Sequence, residues 1–274
     1  ALEAWLVAGG ERVALSSHRY QGEVLHPDGA RRVLSFGSDP WPRWTLDAGP
    51  AGRVQLELFV PRGHSAVCLA WKLLDQHAGE LAPRLEVRPL LSGRDPHALT
   101  RESAEAPFVS EPLPGGVRWR PRGACPAVVA LANGTYREAP DWYRRFLYAE
   151  ERARGYEHHE DLFTPGVFEF DLRQGEALLV MHADPELEPR RGALREAAPL
   201  VAEWRQAERS RRAAFASPLE RAADAYVVRR GAGTTLIAGY PWFGDWGRDT
   251  FIALRGLCLA TGRLDEAQSI LLEW

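Results

Sequence analysis

Short runs in which apolar and polar residues alternate fill the first two-thirds of the chain. Arg53-Val-Gln-Leu-Glu-Leu-Phe-Val60 keeps a period of two and stops at Pro61-Arg-Gly63, which predicts a half-buried strand. Residues 66–74 form a more continuous apolar run, and 85–91 alternate again before Ser92-Gly93. Residues 116–120, 127–132, 167–172 and 177–182 repeat the pattern, with turn clusters at Asn133-Gly134, 112–116 and Gln174-Gly175. Many short strands punctuated by Gly and Pro predict a β-sandwich rather than a βαβ sheet. One helix is expected inside this region. It starts at Pro140-Asp141, with Trp142, Phe146 and Ala149 at i, i+4 and i+7 and Arg144, Arg145 and Glu150 to Arg152 on the wetter side.

The periodicity changes after Asp184. Residues 185–214 are rich in Glu, Arg and Ala, with Leu194, Ala198, Val201 and Trp204 at helical spacing. Pro199 places the regular helix from that point on, and Arg209 to Arg212 are expected in solvent. Ser217-Pro218-Leu219-Glu220 has the form of a helix start, with a capping Ser, Pro in the first turn and Glu at the third position. That helix is expected over 219–228, with Ala222, Ala223, Tyr226 and Val227 on one side. A β-prone piece at 234–238 ends at Gly239, and Gly231-Ala232-Gly233 reads as a turn. Residues 249–260 predict a helix with Phe251, Leu254, Leu257 and Cys258 on one face, closed by Thr261-Gly262; a second helix follows from Leu264. Two helices joined by a short Gly turn make an αα-hairpin, the unit of helical barrels and bundles. Alone it leaves much apolar face uncovered, so the chain is expected to be truncated. The expected organisation is therefore mainly β: a sandwich over 1–184, a helical linker over 185–216 and the start of a helical domain over 217–274.

Composition narrows the partners. The formal net charge of −3 gives no electrostatic basis for binding nucleic acid or an anionic membrane. Three scattered cysteines, Cys68, Cys125 and Cys258, form no CxxC pair and no disulfide framework. With no signal-peptide pattern and no apolar run long enough to span a bilayer, a reducing, cytoplasmic setting is expected. His158-His159-Glu160-Asp161 lacks metal-ligand spacing. Its adjacent histidines are expected on opposite faces of an extended segment, and the cluster in a surface or interdomain hydrogen-bonding role, so no metal is assigned. No phosphate-binding loop, dinucleotide fingerprint or nucleophile elbow is present, and no cofactor is implied. Trp41 and Trp44, flanked by Pro40 and Pro42, are expected to pack a loop onto the sandwich, with a sugar platform as the alternative.

The chemistry concentrates in Gly239-Tyr-Pro-Trp-Phe-Gly-Asp-Trp-Gly-Arg-Asp-Thr250. Tyr240, Trp242, Phe243 and Trp246 crowd a stretch that Pro241, Gly244 and Gly247 are expected to keep irregular. Asp245, Arg248 and Asp249 sit among them, and a helix N-terminus favours Asp249 as a cap or first-turn anion. Sugar C–H faces pack on indole while their hydroxyls need fixed donors and acceptors, which an adjacent Arg–Asp pair supplies. The alternative is a core role for Trp242 and Trp246 and a capping role for Asp249. Aromatic surface beside a buried charge pair is costly unless used.

Tyr240 to Gly256, "YPWFGDWGRDTFIALRG", resembles the opening of the catalytic domain of glycogen-debranching enzymes with amylo-α-1,6-glucosidase activity, of the bacterial and archaeal type. Residues 146–170 and, more loosely, "SSHRYQGEVL" (16–25) resemble the N-terminal domain of that family; Gln21 stands where relatives usually have His, and Ala8-Gly9-Gly10-Glu11 is shorter than their Gly-rich run. The resemblance implies an (α/α)6 barrel after the sandwich and hydrolysis of α-1,6-linked glucose at branch points of glycogen or a related α-glucan. It implies that Arg248 and Asp249 hold hydroxyls of the non-reducing-end glucose and that Trp246, then Trp242 and Phe243, line the same pocket. The general acid and base are expected beyond Trp274, in the barrel, with inversion through a base-activated water; Asp249 as the proton donor is the alternative. Two other readings stand beside this one: a non-catalytic glucan-binding or domain-docking module, and a related helical-barrel enzyme acting on α-1,4 links, on trehalose or by phosphorolysis.

Overall fold

The computed structural model describes residues 1–75, 81–183, 196–240 and 243–274. These residues form two compact units, 1–206 and 207–274. Among them no helix is long and apolar enough to cross a membrane.

The first unit is a β-sandwich. Its strands are β1 (Leu2–Ala8), β2 (Glu11–Ala14), β3 (Ser17–Tyr20), β4 (Val24–Asp28), β5 (Val33–Gly37), β6 (Arg43–Asp47), β7 (Arg53–Phe59) and β8 (Ala66–Leu73). They continue as β9 (Arg84–Pro89), β10 (Phe108–Leu113), β11 (Gly116–Pro121), β12 (Val128–Ala132), β13 (Thr135–Leu147), β14 (His159–Asp171) and β15 (Ala177–His182). One sheet runs β2-β1-β9-β14-β13-β3-β4 and the other β10-β11-β12-β15-β8-β7-β6-β5. Every named strand pairing in the sandwich is antiparallel, between consecutive and non-consecutive strands alike. Alternating residues of both inner faces, among them Leu6, Val87, Phe168, Val54, Leu69, Trp71, Trp119 and Leu179, make one core. The predicted strands at 53–60, 66–74, 85–91, 116–120, 127–132 and 177–182 all appear, within two residues at each end.

The continuous apolar run at 66–74 is explained by burial on both faces of β8. Leu69 and Trp71 face the sandwich core, whereas Ala66, Cys68 and Ala70 face α2 (Ala197–Ala213). Ala197, Leu200, Val201 and Trp204 of α2 close over that outer surface together with Trp41. Pro199 falls in the first turn, where its missing N–H costs no hydrogen bond, so the helix begins two residues earlier than expected. Leu194 lies outside the described residues. Trp41 is fully buried against Phe59, with ring centroids 4.9 Å apart, and is not a sugar platform; Trp44 lies in β6 and touches Phe36.

The expected helix at 140–152 is a strand instead. Residues 135–147 pair with β14, and only Ala149–Ala153 is helical (α1). Two bulges, at 139–140 and 144–145, absorb Pro140 and a left-handed Arg145 with φ of 63°. The second bulge reverses the side-chain alternation. Trp142 therefore packs on Phe163 against the main core, while Phe146 joins Tyr20, Tyr143 and Leu162 on the other face. Spacing of four residues fits a helix face, and here it arose from two strand segments out of phase.

Glu160 and Asp161 of β14 are buried, which corrects the surface half of the expectation for this cluster. Glu160 is 1% exposed and accepts hydrogen bonds from Arg94 (Nη2, 2.9 Å, and Nε), from the Thr100 amide at 2.9 Å and from the Tyr148 hydroxyl. Asp161 accepts from the amides of Glu102 and Arg145 at 2.9 and 2.8 Å. Together they fasten the loop after β9 to the sheet. Burial alone would raise the Glu160 carboxyl, but the Arg94, Tyr148 and Thr100 donors outweigh it and hold it below the ordinary range. The rings of His158 and His159 lie 4.5 Å apart, tilted at 46°, rather than pointing apart.

The second unit contains α3 (Pro218–Asp224), a sheet of β16 (Val227–Arg230), β17 (Gly233–Gly239) and β18 (Phe243–Asp245) in that order, α4 (Gly247–Leu254) and α5 (Leu264–Glu273). Ser217 caps α3 by accepting the Glu220 amide at 3.2 Å. The helix ends at Asp224, four residues before the expected end, because Val227 pairs with Leu236 in the sheet. Val227, Leu236, Leu254, Cys258, Ala267 and Ile270 form the core. Arg211 and Arg212 are not solvated as expected: both pair with buried Glu208, and Arg211 also reaches Asp224, which takes a second bond from Arg263. α4 runs on as a π-helical turn over Arg255–Leu259, and Gly262, at φ 73°, ends it.

Candidate functional site

The aromatic stretch is more regular than its Pro and Gly residues suggest. Phe243–Asp245 pairs back onto β17, with Gly239 opposite Phe243 and Ile237 opposite Asp245, so much of it is a hairpin edge. Tyr240 donates its hydroxyl to the Ala225 carbonyl at 2.9 Å. Pro241 and Trp242 lie outside the described residues, so the role expected of Trp242 has no structural description.

From this edge the chain enters α4 through Trp246, whose extended backbone occupies the N-cap position and whose side chain makes no capping bond. The helix points its buried face inward through Thr250, Leu254 and Cys258, spaced by four. Thr250 donates its hydroxyl to the Leu236 carbonyl at 3.3 Å, tying the first turn to the sheet. Trp274, at the end of α5, lies under the same turn. Its indole N–H donates to Thr235 Oγ1 at 3.3 Å, the Arg230 guanidinium sits 4.1 Å from its ring centre, and Phe251 meets it edge-on. A β-carbon on Gly247 would stand 3.4 Å from this indole, so the small residue lets the helix start close to it. Arg230 also makes a 3.3 Å ion contact with Asp245.

That anchoring leaves Arg248 and Asp249 outward. The Arg248 side chain is 82% exposed and that of Asp249 43%, and their charged groups approach to 3.6 Å. The expectation of a buried charge pair is therefore corrected: the pair is open, and internal packing engages neither group. Asp249 is the third residue of α4, a first-turn anion that the helix dipole favours, and not the cap. Trp246 and Phe243 are exposed as well, as are Tyr240, Phe251 and Ile252, so Trp246 does not enter the core of the described residues. Phe251 was expected on the buried face; it lies one position round from it. The result is an apolar, aromatic surface carrying one cation and one anion at a helix N-terminus. Such a surface suits a neutral, hydroxyl-rich ligand: ring faces for C–H groups, a fork of donors and a carboxylate acceptor. Arg230 and Trp274, which hold the first turn from behind, had no signal in the sequence; they lie 18 residues before and 26 after Arg248 and meet it only through folding. Among the described residues no group of three or more His, Cys, Asp or Glu side chains is placed to hold a metal ion.

Comparison with known proteins accounts for most of the chain. A family model described as "Glycogen debranching enzyme N terminal" matches residues 1–179, and one described as "Amylo-alpha-1,6-glucosidase" matches residues 221–274. Among solved structures, a bacterial glucoamylase complexed with acarbose is similar at 12% identity with a TM-score of 0.48; the match covers 98% of this chain and 43% of that one. With the N-terminal model alone spanning more than half of its residues and the sandwich it covers described above, the chain belongs to the glycogen debranching enzyme family.

Proposed function

We propose that this chain is part of a glycoside hydrolase that removes α-1,6-linked glucose from branch points of glycogen or a related α-glucan, and that residues 243–249 bind the terminal glucose. The carrying observation is the exposed Arg248–Asp249 pair, set beside exposed Trp246 and Phe243 on a first turn locked from behind by Thr250 and Trp274. The match of residues 221–274 to the amylo-α-1,6-glucosidase description supports the linkage. In this reading Trp246 and Phe243 take the apolar ring face, Arg248 donates to vicinal hydroxyls and Asp249 accepts from them. Trp242 belongs to the same proposed pocket. Hydrolysis needs one carboxylic acid to protonate the leaving oxygen and a second carboxylate to activate water across the ring. We assign both to an (α/α)6 barrel to which 217–274 contributes the first helices, and Arg248 and Asp249 act by positioning.

The test is glucose release from a glucosyl-branched limit dextrin by the protein extended through the whole barrel. Arg248→Ala is expected to lower kcat/KM by about a hundredfold, a loss typical of removing a charged hydrogen bond to substrate. Undiminished turnover removes the assignment. Loss of all activity on Asp249→Asn with binding of panose intact would instead make Asp249 the proton donor.

A further inference from the structure

A concavity lies within the sandwich, at the end where β10, β11 and β12 of one sheet face β13 and β14 of the other. Its volume is about 480 Å³, within the range of small-molecule sites. Tyr136 and Phe168 line it, their rings 5.0 Å apart, and buried Trp119 lies behind them, 6.0 Å from Tyr136. The Trp119 indole N–H donates to the Tyr136 hydroxyl at 3.3 Å. The phenol oxygen thus accepts one bond, and its own proton is left to be given to something else. Burial pushes this phenol up, so it stays protonated and a donor across the neutral range.

Strand alternation places Glu138 on the same side of β13 as Tyr136, immediately before the bulge at 139–140. A carboxylate on a core-facing strand position is unusual unless it meets water or a ligand there. Glu138 is exposed at the mouth of this cleft, and among the described residues its side chain makes no ion pair or hydrogen bond. Pro112, Leu113 and Val117 supply apolar walls, and none of the lining residues is a cation. Phosphate or carboxylate ligands would find no counter-charge. A neutral polyol would find a phenol donor, a carboxylate acceptor and apolar surface for its C–H faces.

We propose that this cleft is a second α-glucan-binding site, holding a glucosyl unit of a linear chain through Tyr136 and Glu138, apart from the aromatic stretch at 243–249. The proposal rests on the glucan reading for its choice of polyol. A site remote from the terminal-glucose residues would tether the polymer while its ends are processed and raise their local concentration.

The experiment is calorimetric titration of the chain with maltoheptaose, on the parent and on an Arg248→Ala/Asp249→Ala background. The background is expected to keep a binding isotherm, and Glu138→Ala or Tyr136→Phe added to it to weaken that binding by about tenfold or more, as for loss of a hydrogen bond to a charged or buried group. Circular dichroism and urea unfolding check that each variant is folded, and inorganic phosphate in place of the sugar is expected to give no heat. The proposal falls if the background loses all binding that the parent shows, if its binding is unchanged by both cleft substitutions, or if the parent binds no maltoheptaose. Parent binding that survives Arg248→Ala/Asp249→Ala undiminished and disappears on Glu138→Ala would overturn the assignment of 243–249 and leave the cleft standing.

Discussion

Neutralising Glu160 is the sharpest test of how the sandwich holds its long loop. The side chain is 1% exposed and answers donors from three residues, Arg94 and Thr100 of the loop after β9 and Tyr148. Glu160→Gln keeps the shape but removes the charge and turns one acceptor into an NH2 group facing other donors. Breaking one side of a buried pair costs about 3–5 kcal/mol. Arg94 is 22% exposed and retains carbonyl acceptors at Asp95 and Pro96, so the lower end, about 3 kcal/mol, applies. For a unit of this size that is a fall in Tm of about 6–12 °C, read by scanning calorimetry or thermal circular dichroism. The sign of the pH dependence is also fixed. Because the folded carboxyl lies below its ordinary value, the stabilisation is complete above the unfolded pKa near ~4.3 and is lost as pH falls through the folded value. The gap between parent and variant should therefore be constant from about pH 5 to 7 and narrow below about pH 4. Glu102→Gln, which breaks the exposed pair with Arg144, supplies the control and should leave the transition almost unmoved. If Glu160→Gln shifts Tm no more than Glu102→Gln, the buried network does not hold the loop as argued.

Other substitutions test separate links. Arg248→Ala should leave Tm unchanged within error, since an exposed pair contributes roughly 0–1 kcal/mol, so any loss of sugar binding is not a loss of fold; a marked fall in Tm would contradict its placement. Ser217→Ala removes the cap on α3 and should cost about 1 kcal/mol, measured by urea unfolding of the second unit's transition. Gly116→Ala would put a β-carbon 2.0 Å from the Ala130 carbonyl oxygen and is expected to prevent normal pairing of β11 with β12, whereas Gly115→Ala meets open space and pays only the strain of a left-handed backbone, about 1–2 kcal/mol. Equal unfolding midpoints for these two variants would refute the close approach.

Several elements were legible because local pattern and tertiary environment agreed. β7 alternates and has one core face, β15 and β8 are apolar on both faces because α2 and the sandwich core flank them, and the Ser217 cap is where its sequence signature says. Residues 140–152 misled because two bulges put out-of-phase strand segments at helical spacing, and bulges depend on the partner strand rather than on the segment itself. Nothing in the spacing of residues 158–161 signals the burial of Glu160, which requires Arg94 and Tyr148, 66 and 12 residues away.

The chain's own residues determined a mainly β first part, helices after it and an aromatic Arg–Asp stretch entering a helix, because periodicity, caps and Gly/Pro placement act over a few residues. Only the tertiary structure decided that Arg248 and Asp249 face outward while Thr250 and Trp274 hold their helix from behind, that Glu160 is buried, and that Tyr136 and Glu138 share a cleft. The first two are set by contacts between residues distant in the chain, for which no local pattern carries a signal; in the third, strand alternation puts Tyr136 and Glu138 on one side, and only the facing sheet makes that side a cleft.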